Sequence, residues 1–366
     1  MELALYCPLC GYYEKKRDTT GPRGDFYTSV NVGSLFGELL AFQFAEWLKE
    51  LQIAGSDKAR AGCGLQIVEA GAHDGRLAKD ILTWLLRRRP VLVEKVKYWI
   101  IEPSAPRQEW QCETLDEWSS HVRWSADFGS LPQDSTGPVT NPPSAISTRQ
   151  SVCGVIFSNE LLDAMPVHRL GWDAKRRGWF EWGVSLNADR FVWTRLPDVL
   201  HPSTLFLPAS EELLDVLPDG FTAEACPAAE DWWRAAAGAL KQGKLMTLDY
   251  GLSADEFFAS QRTNGTLRAY HRHGLADDVL AHPGEQDLTA HVNFTALERA
   301  GEAAGLKTEK RLSQAQFLMS IAQRAWQAES GSGPWTREHT RQFQTLTHPQ
   351  HLGRAFQVLL QSRAGL

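Results

Sequence analysis

The sequence predicts an α/β protein built on a mostly parallel sheet, and three segments carry that expectation. Leu65-Gln-Ile-Val-Glu69 is apolar and β-prone, glycines follow at 71 and 75, and the stretch from Arg76 to Arg89 is helical in period. A second β-prone run, Val96 to Glu102, stops at Pro103. The order strand, helix, strand, helix selects parallel pairing, because strands joined by helical crossovers run the same way. The third segment, Val152-Cys-Gly-Val-Ile-Phe157, is a continuous apolar run of the kind buried on both faces of a sheet.

The elements follow in order. Leu77, Ile81, Leu82 and Leu85 line one face of the first helix, and Arg87-Arg88-Arg89 falls where that helix ends and complements its dipole. Ser104 is placed to cap a helix running toward Trp118. Val122-Arg-Trp-Ser-Ala126 reads as a third strand ending in Asp127-Phe128, and residues 129–150, rich in Pro, Ser, Thr and Gly, read as a surface excursion. Between 170 and 225 the pattern changes. Trp179-Phe-Glu-Trp182 and Arg190-Phe-Val-Trp-Thr194 alternate like an antiparallel hairpin, with Trp172, Trp179, Trp182 and Trp193 expected to build its packing. A helix at about 223–241 leads to the strand Lys244-Leu-Met-Thr-Leu-Asp249, and helix and strand alternate again over the last hundred residues.

A chain of 366 residues exceeds the ~100–200 of one domain, so one large α/β unit with insertions, or a domain with a smaller partner, is expected. The division read from the chain is a helical or cap segment at 1–60, a first part of the cofactor-binding core at 61–169, an inserted hairpin and helical subdomain at 170–240, and the rest of the core at 241–366. A net charge of −6 with scattered basic residues argues against a nucleic-acid binder. No stretch reaches the ~20 apolar residues of a membrane span. Met1-Glu2-Leu3-Ala4 lacks the basic segment and apolar core of a secretory leader, so a cytoplasmic protein is expected. Six cysteines, at 7, 10, 63, 112, 153 and 226, are too irregular for a disulfide framework and are expected as free thiols. Cys7-Pro-Leu-Cys10 has the spacing of half a zinc knuckle, but no second pair completes four ligands, and no metal is expected.

In open parallel sheets the ligand sits beyond the strand C-termini, where strand order reverses. Gly71 and Gly75 let the backbone turn sharply there, Glu69 precedes the turn, and the helix from Arg76 points its free amides at the same place. NAD sites, FAD sites and plain strand-to-helix turns share such a loop, which leaves the ligand open. Glu102 ends the second strand, where a carboxylate can accept both ribose hydroxyls of an adenosine. Asp127 and Phe128 can supply a polar contact and an apolar wall to the adenine. The plainer alternatives are a solvated strand-end acid for Glu102 and a helix cap for Asp127.

Further stretches carry a resemblance that runs nearly the whole chain in order. They are Ala4-Leu-Tyr6 with Gly11-Tyr-Tyr13, Gly24-Asp-Phe-Tyr-Thr-Ser29 with Leu35-Phe-Gly-Glu38, Glu69 to Leu82, and Ser158-Asn-Glu-Leu-Leu-Asp-Ala-Met-Pro-Val167. Leu248-Asp-Tyr-Gly251, Gly265-Thr-Leu-Arg-Ala269 and Asp287-Leu-Thr-Ala-His-Val-Asn-Phe294 complete the set. The chain is similar to the MidA-like methyltransferase family, whose mitochondrial member is a respiratory complex I assembly factor with protein arginine methyltransferase activity.

The resemblance implies a Rossmann-like class I methyltransferase sheet of seven strands, an N-terminal segment folded over the cofactor, and an inserted smaller β/α subdomain. It implies S-adenosyl-L-methionine as cofactor, with Gly24, Asp25, Phe26, Thr28 and Ser29 in its pocket beside Glu69, Gly71, Gly75, Glu102, Asp127, Phe128 and Asn159. Two departures stand out: Ala72-His73 replaces the usual Pro-Gly of the glycine loop, and Cys7-Pro8 replaces the usual His-Pro.

Methyl transfer is an in-line displacement that mainly requires placing the nucleophile. For an arginine acceptor a carboxylate must hold the charged guanidinium, and Glu160 with Asp163 three residues on are the expected catalytic pair. Without the resemblance, Asn159-Glu160-x-x-Asp163 reads as a helix cap with a first-turn acid. His291 and Asp249 are secondary candidates. The implied partner is a protein substrate, with no nucleic acid and no membrane, and the oligomeric state is open, a homodimer being one option. A small-molecule methyltransferase and a non-catalytic cofactor-binding assembly module are the alternatives.

Overall fold

The computed structural model describes residues 1–15, 28–54, 64–131, 152–196, 211–271, 274–327 and 335–364. The chain forms two compact units whose segments alternate along the sequence. The core unit comprises Thr28–Leu161, Trp233–Asp249 and Gly301–Leu366; the second unit comprises Met1–Tyr27, Leu162–Trp232 and Tyr250–Ala300.

The core unit is organised by strands β1 (Leu65–Ala70), β2 (Val96–Ile101), β3 (Val122–Ser125), β4 (Val152–Asn159), β5 (Leu240–Leu252), β6 (Lys307–Ser313) and β7 (Phe356–Arg363). Their order across the sheet is β6-β7-β5-β4-β1-β2-β3. β1 pairs in parallel with β2 and β4, β2 with β3, and β4 with β5, whereas β6 and β7 pair antiparallel. Every residue of β4 is buried, which is why its sequence is apolar without alternation. Strand order runs outward from β1 to β3 in one direction and from β4 to β5 in the other. The switch point therefore lies at the C-terminal ends of β1 and β4.

Helix α1 (Leu35–Ala54) precedes β1, α2 (Arg76–Arg88) follows it, and α3 (Ala105–Thr114) follows β2. α2 buries Leu77, Ile81, Leu82 and Leu85 as its period predicts, together with Trp84, and ends on Arg87 and Arg88. Ser104 caps α3 through the Arg107 amide. α1 is different. Leu35, Phe36, Leu39, Leu40, Phe42, Phe44 and Leu48 are all buried, so the helix is apolar around most of its circumference and has no one-sided stripe to betray it.

In the second unit, strands 190–195, 178–187, 168–173 and 222–225 form an antiparallel sheet in that order. Trp172 and Trp179 pack 5.3 Å apart beside Phe221 and Phe258, and the Arg169 guanidinium lies 4.4 Å from the Trp193 ring, as the aromatic pattern of this stretch anticipates. A second cluster joins Leu5 and Tyr12 to Ala269 and Leu288. Cys7, Cys10, Cys112 and Cys226 are free, but Cys153 is disulfide-bonded, which corrects the expectation of free thiols throughout. Spacing along a chain does not report which sulfurs the fold brings together. Among the described residues no helix is long and apolar enough to cross a membrane, and no three His, Cys, Asp or Glu side chains gather as a metal ion requires.

Candidate functional site

The switch point of the core unit gathers most of the expected residues. β1 ends at Ala70, and the chain then turns through Gly71 (φ +73°), His73 (φ +47°) and Gly75 (φ +84°). A Cβ at Gly71 would stand 2.9 Å from Leu161 Cδ1, so the loop passes close beneath the segment that follows β4. The Gly75 amide donates to the Ala72 carbonyl at 2.7 Å, and the Asp74 carboxylate accepts at 3.2 Å from the Arg76 amide that opens the helix. Ala72 and His73 thus take the place of the family's Pro-Gly without removing the turn. Asp74 resists its own burial because His73 and Arg76 hold its carboxyl below the ordinary range. Glu69 is almost wholly buried. Desolvation raises its carboxyl to about 7 against the 2.6 Å hydrogen bond that it accepts from the Tyr98 hydroxyl.

Glu102, 1% exposed just beyond β2, is a tethered carboxylate rather than a solvated one. It accepts from the Ser104 amide at 2.9 Å and from Gln111 Nε2 at 3.2 Å, and pairs with Arg107 Nε at 3.1 Å. Gln111, fully buried on α3, also donates to the His73 carbonyl and accepts from the Trp124 indole. One amide therefore ties the glycine loop, the strand-end acid and β3 together. Sequence reasoning missed it, since a lone glutamine on a helix carries no signal of burial. At the end of β3, Asp127 is exposed and accepts from the Ser130 amide, capping a turn and not a helix, while Phe128 beside it is buried.

β4 delivers Asn159 and Glu160. Glu160 has φ +52°, a left-handed conformation that is costly for a non-glycine residue and is retained where surroundings enforce it. Its amide continues the ladder to the Leu248 carbonyl at 2.9 Å, and its Oε1 accepts from the Ser29 amide at 3.0 Å and from Asn159 Nδ2 at 3.1 Å. Ser29, fully buried, is anchored in turn through Oγ to Gln314, and Thr28 bonds Asn31. Asn159 Oδ1 is buried and has no hydrogen-bond partner. A buried acceptor left unmatched costs free energy, and no donor among the described residues satisfies this one.

Other expected residues fall elsewhere. Gly24, Asp25 and Phe26 lie outside the described residues. No helix starts at Glu160: the Met165 amide closes a turn on the Leu162 carbonyl, and Pro166 follows. The positive φ of Glu160 is incompatible with a helical first turn, which corrects the helix-cap reading. Asp163 belongs to the second unit, is buried, and accepts the Ala290 amide through its carbonyl. Asp249, fully buried in the core unit, accepts from the Leu161 amide at 3.2 Å. His291, in the second unit, lines a pocket with Glu224 and Cys226, and burial first, then Arg262 and Arg268, lowers it to about 4.

A parallel sheet with this strand order, a glycine turn after its first strand, an acid after its second and a carboxylate on strained backbone after its fourth is the architecture of a Rossmann-like class I methyltransferase. The chain belongs to the MidA-like family described as "Putative S-adenosyl-L-methionine-dependent methyltransferase", whose model matches residues 39–311. It is an S-adenosyl-L-methionine-dependent methyltransferase. Mitochondrial protein arginine methyltransferase NDUFAF7 of Homo sapiens is 30% identical over 97% of this chain and 77% of its own length, and that of Danio rerio is 28% identical over 98% and 81%. A solved structure from Burkholderia thailandensis, bound to S-adenosyl-homocysteine, matches with a TM-score of 0.78 and 29% identity, covering 99% of this chain and 86% of that one.

These relatives are mitochondrial by name, which overturns the expectation of a cytoplasmic protein. A secretory leader and a mitochondrial transit segment differ in composition, so the lack of the first does not imply the cytoplasm. The residues present fit the cofactor. Asn159 Oδ1 is a buried acceptor with no partner among the described residues, which suits an ammonium or hydroxyl donor.

Proposed function

We propose that this methyltransferase modifies an arginine side chain of a protein substrate, with Glu160 as the carboxylate that receives the guanidinium. The single observation that carries the reading is Glu160 itself, held in a costly backbone conformation at the switch point with Oε1 fixed by Ser29 and Asn159. The protein arginine methyltransferase names of its relatives support the choice of acceptor. When bound, S-adenosyl-L-methionine supplies a methyl group activated by a sulfonium. The chain's part is to place a nitrogen in line and make its lone pair available. A guanidinium remains charged below a pKa of about 12, so the acceptor needs a fixed carboxylate to accept its N–H groups and draw positive charge away from the attacking nitrogen. A carboxylate already oriented by two donors does this without first losing side-chain freedom. Asp163 is proposed as the second carboxylate on the family resemblance alone.

For the cofactor we propose Thr28, Ser29, Glu69, Gly71, Gly75, Glu102, Asp127, Phe128 and Asn159, with Gly24, Asp25 and Phe26 from the resemblance. The test is transfer of labelled methyl from S-adenosyl-L-methionine to proteins of a lysate, followed by hydrolysis and amino-acid analysis. Label is expected in methylarginine. Glu160→Gln should lower the rate at least ~10-fold with cofactor affinity retained, since a charge-assisted hydrogen bond is worth about 1.5–3 kcal/mol. Label confined to lysine or to small molecules, or an unchanged rate in the variant, would overturn the assignment.

A further inference from the structure

The turn Cys7-Pro-Leu-Cys10 has no part in the proposed methyl transfer, and it stands where the family's usual His-Pro is replaced. It links the helix Glu2–Tyr6 to the short helix Tyr12–Glu14 in the second unit. The Cys10 amide donates to the Cys7 carbonyl at 3.2 Å, and the Gly11 amide to the same carbonyl at 2.7 Å. A turn closed in this way keeps its end Cα atoms within about 7 Å, which overlaps the roughly 4.4–6.8 Å that a disulfide spans. The two cysteines therefore stand at the ends of one closed turn. Both cysteines are free, Cys10 is exposed and Cys7 partly so.

The frame beneath the turn is fixed. Leu5 and Tyr12, on either side of it, are fully buried against Ala269 and Leu288. The Cys10 carbonyl lies against Gly284, where a Cβ would stand 2.3 Å away, and Lys15 Nζ donates to the Gly284 carbonyl at 2.8 Å. Two cysteines are thus held on one anchored turn while staying reachable from solvent. Among the described residues they have no third metal-ligating neighbour, so a metal half-site does not explain them.

We propose that Cys7 and Cys10 are a redox pair that closes reversibly to a disulfide by exchange with a small disulfide such as oxidised glutathione. The Cys7 thiolate attacks one glutathione sulfur, the glutathione S–S bond breaks, and one glutathione leaves as thiolate. Cys10 then gives its proton to solvent and attacks the Cys7 sulfur, expelling the second glutathione. Two electrons pass from the pair to glutathione, and two protons end on the departing thiols. Cys7 is the attacking sulfur, because the Leu9 amide, the Cys10 thiol and the Cys10 amide hold its thiol below the ordinary range. Donation to Cys7, burial and the charge of Cys7 push the Cys10 thiol up.

The test uses the full chain carrying Cys112→Ser and Cys226→Ser, equilibrated in mixtures of reduced and oxidised glutathione, acid-quenched, alkylated and cut with trypsin. One tryptic peptide, Met1 to Lys15, holds both cysteines. That peptide is expected to become lighter by two hydrogen atoms and refractory to alkylation in a single two-electron transition. Adding Cys10→Ser should trap one glutathione on Cys7; adding Cys7→Ser should slow adduct formation on Cys10 at least ~10-fold relative to it. Stable glutathione adducts on both cysteines of the parent chain, or two alkylated thiols in excess oxidised glutathione, would overturn the proposal. So would a Cys10 adduct that forms faster than the Cys7 adduct.

Discussion

At the end of β1, Glu69 gives up nearly all its hydration for one hydrogen bond from Tyr98, and burial raises its carboxyl to about 7 from an ordinary 4.5. The folded chain therefore binds the proton more tightly than the unfolded one. Its contribution to stability is complete below the unfolded value and is lost as pH rises through about 7. Between about pH 5 and pH 8, wild type should lose roughly 2 kcal/mol relative to Glu69→Gln in urea unfolding, and parallel curves would refute this. Asn159 makes a different prediction. Asn159→Ala removes the unmatched acceptor and should weaken S-adenosyl-L-methionine binding about 10-fold in calorimetry, the worth of one hydrogen bond to a charged donor. Equal affinity would remove Asn159 from the cofactor site. The strand-end residues Glu69, Glu102, Asn159 and Glu160 were legible because acids and amides after apolar runs stand out. Gln111 was not, since its importance lies in three partners from β2, the glycine loop and β3.

Elements were legible where periodicity is local. β1, α2, β2 and β3 fall within a residue or two of their expected bounds, and the helix expected at about 223–241 runs over Pro227–Ala239. α1 gave no stripe, because burial on nearly all sides erases the contrast on which a period depends. The antiparallel pairing of β6 with β7 was equally hidden, since alternation of helix and strand suggests parallel crossovers. One element-level demand is sharp. Gly154 of β4 lies between Gln66 of β1 and Gly243 of β5, and a Cβ there would stand 1.9 Å from the Gln66 carbonyl oxygen. Gly154→Ala should cost about 3 kcal/mol or more, because the strands must part, whereas Gly220→Ala should cost about 1. Gly220 also has positive φ, but a methyl group added to it would meet no atom within 4 Å, so equal losses in thermal unfolding would contradict the close-approach argument.

On the scale of the whole molecule, the division expected from the chain ran in consecutive blocks, while compactness follows another rule. Leu5 and Tyr12 find their apolar partners in Ala269 and Leu288, a pairing that no local pattern reports. A chain lacking residues 1–15 should lose roughly 4 kcal/mol, the worth of two large buried side chains, and an unchanged urea midpoint would refute that.

β7 sits between β6 and β5, yet it is the last of the three to be made. During translation β5 therefore leaves the ribosome with one edge open, and β6 has no strand to pair with until residues 356–363 arrive. Stop codons or cleavage just upstream of Phe356 would leave two unpaired strand edges in an otherwise complete sheet. Such products should depend on chaperones and be degraded quickly, even with every proposed catalytic residue intact.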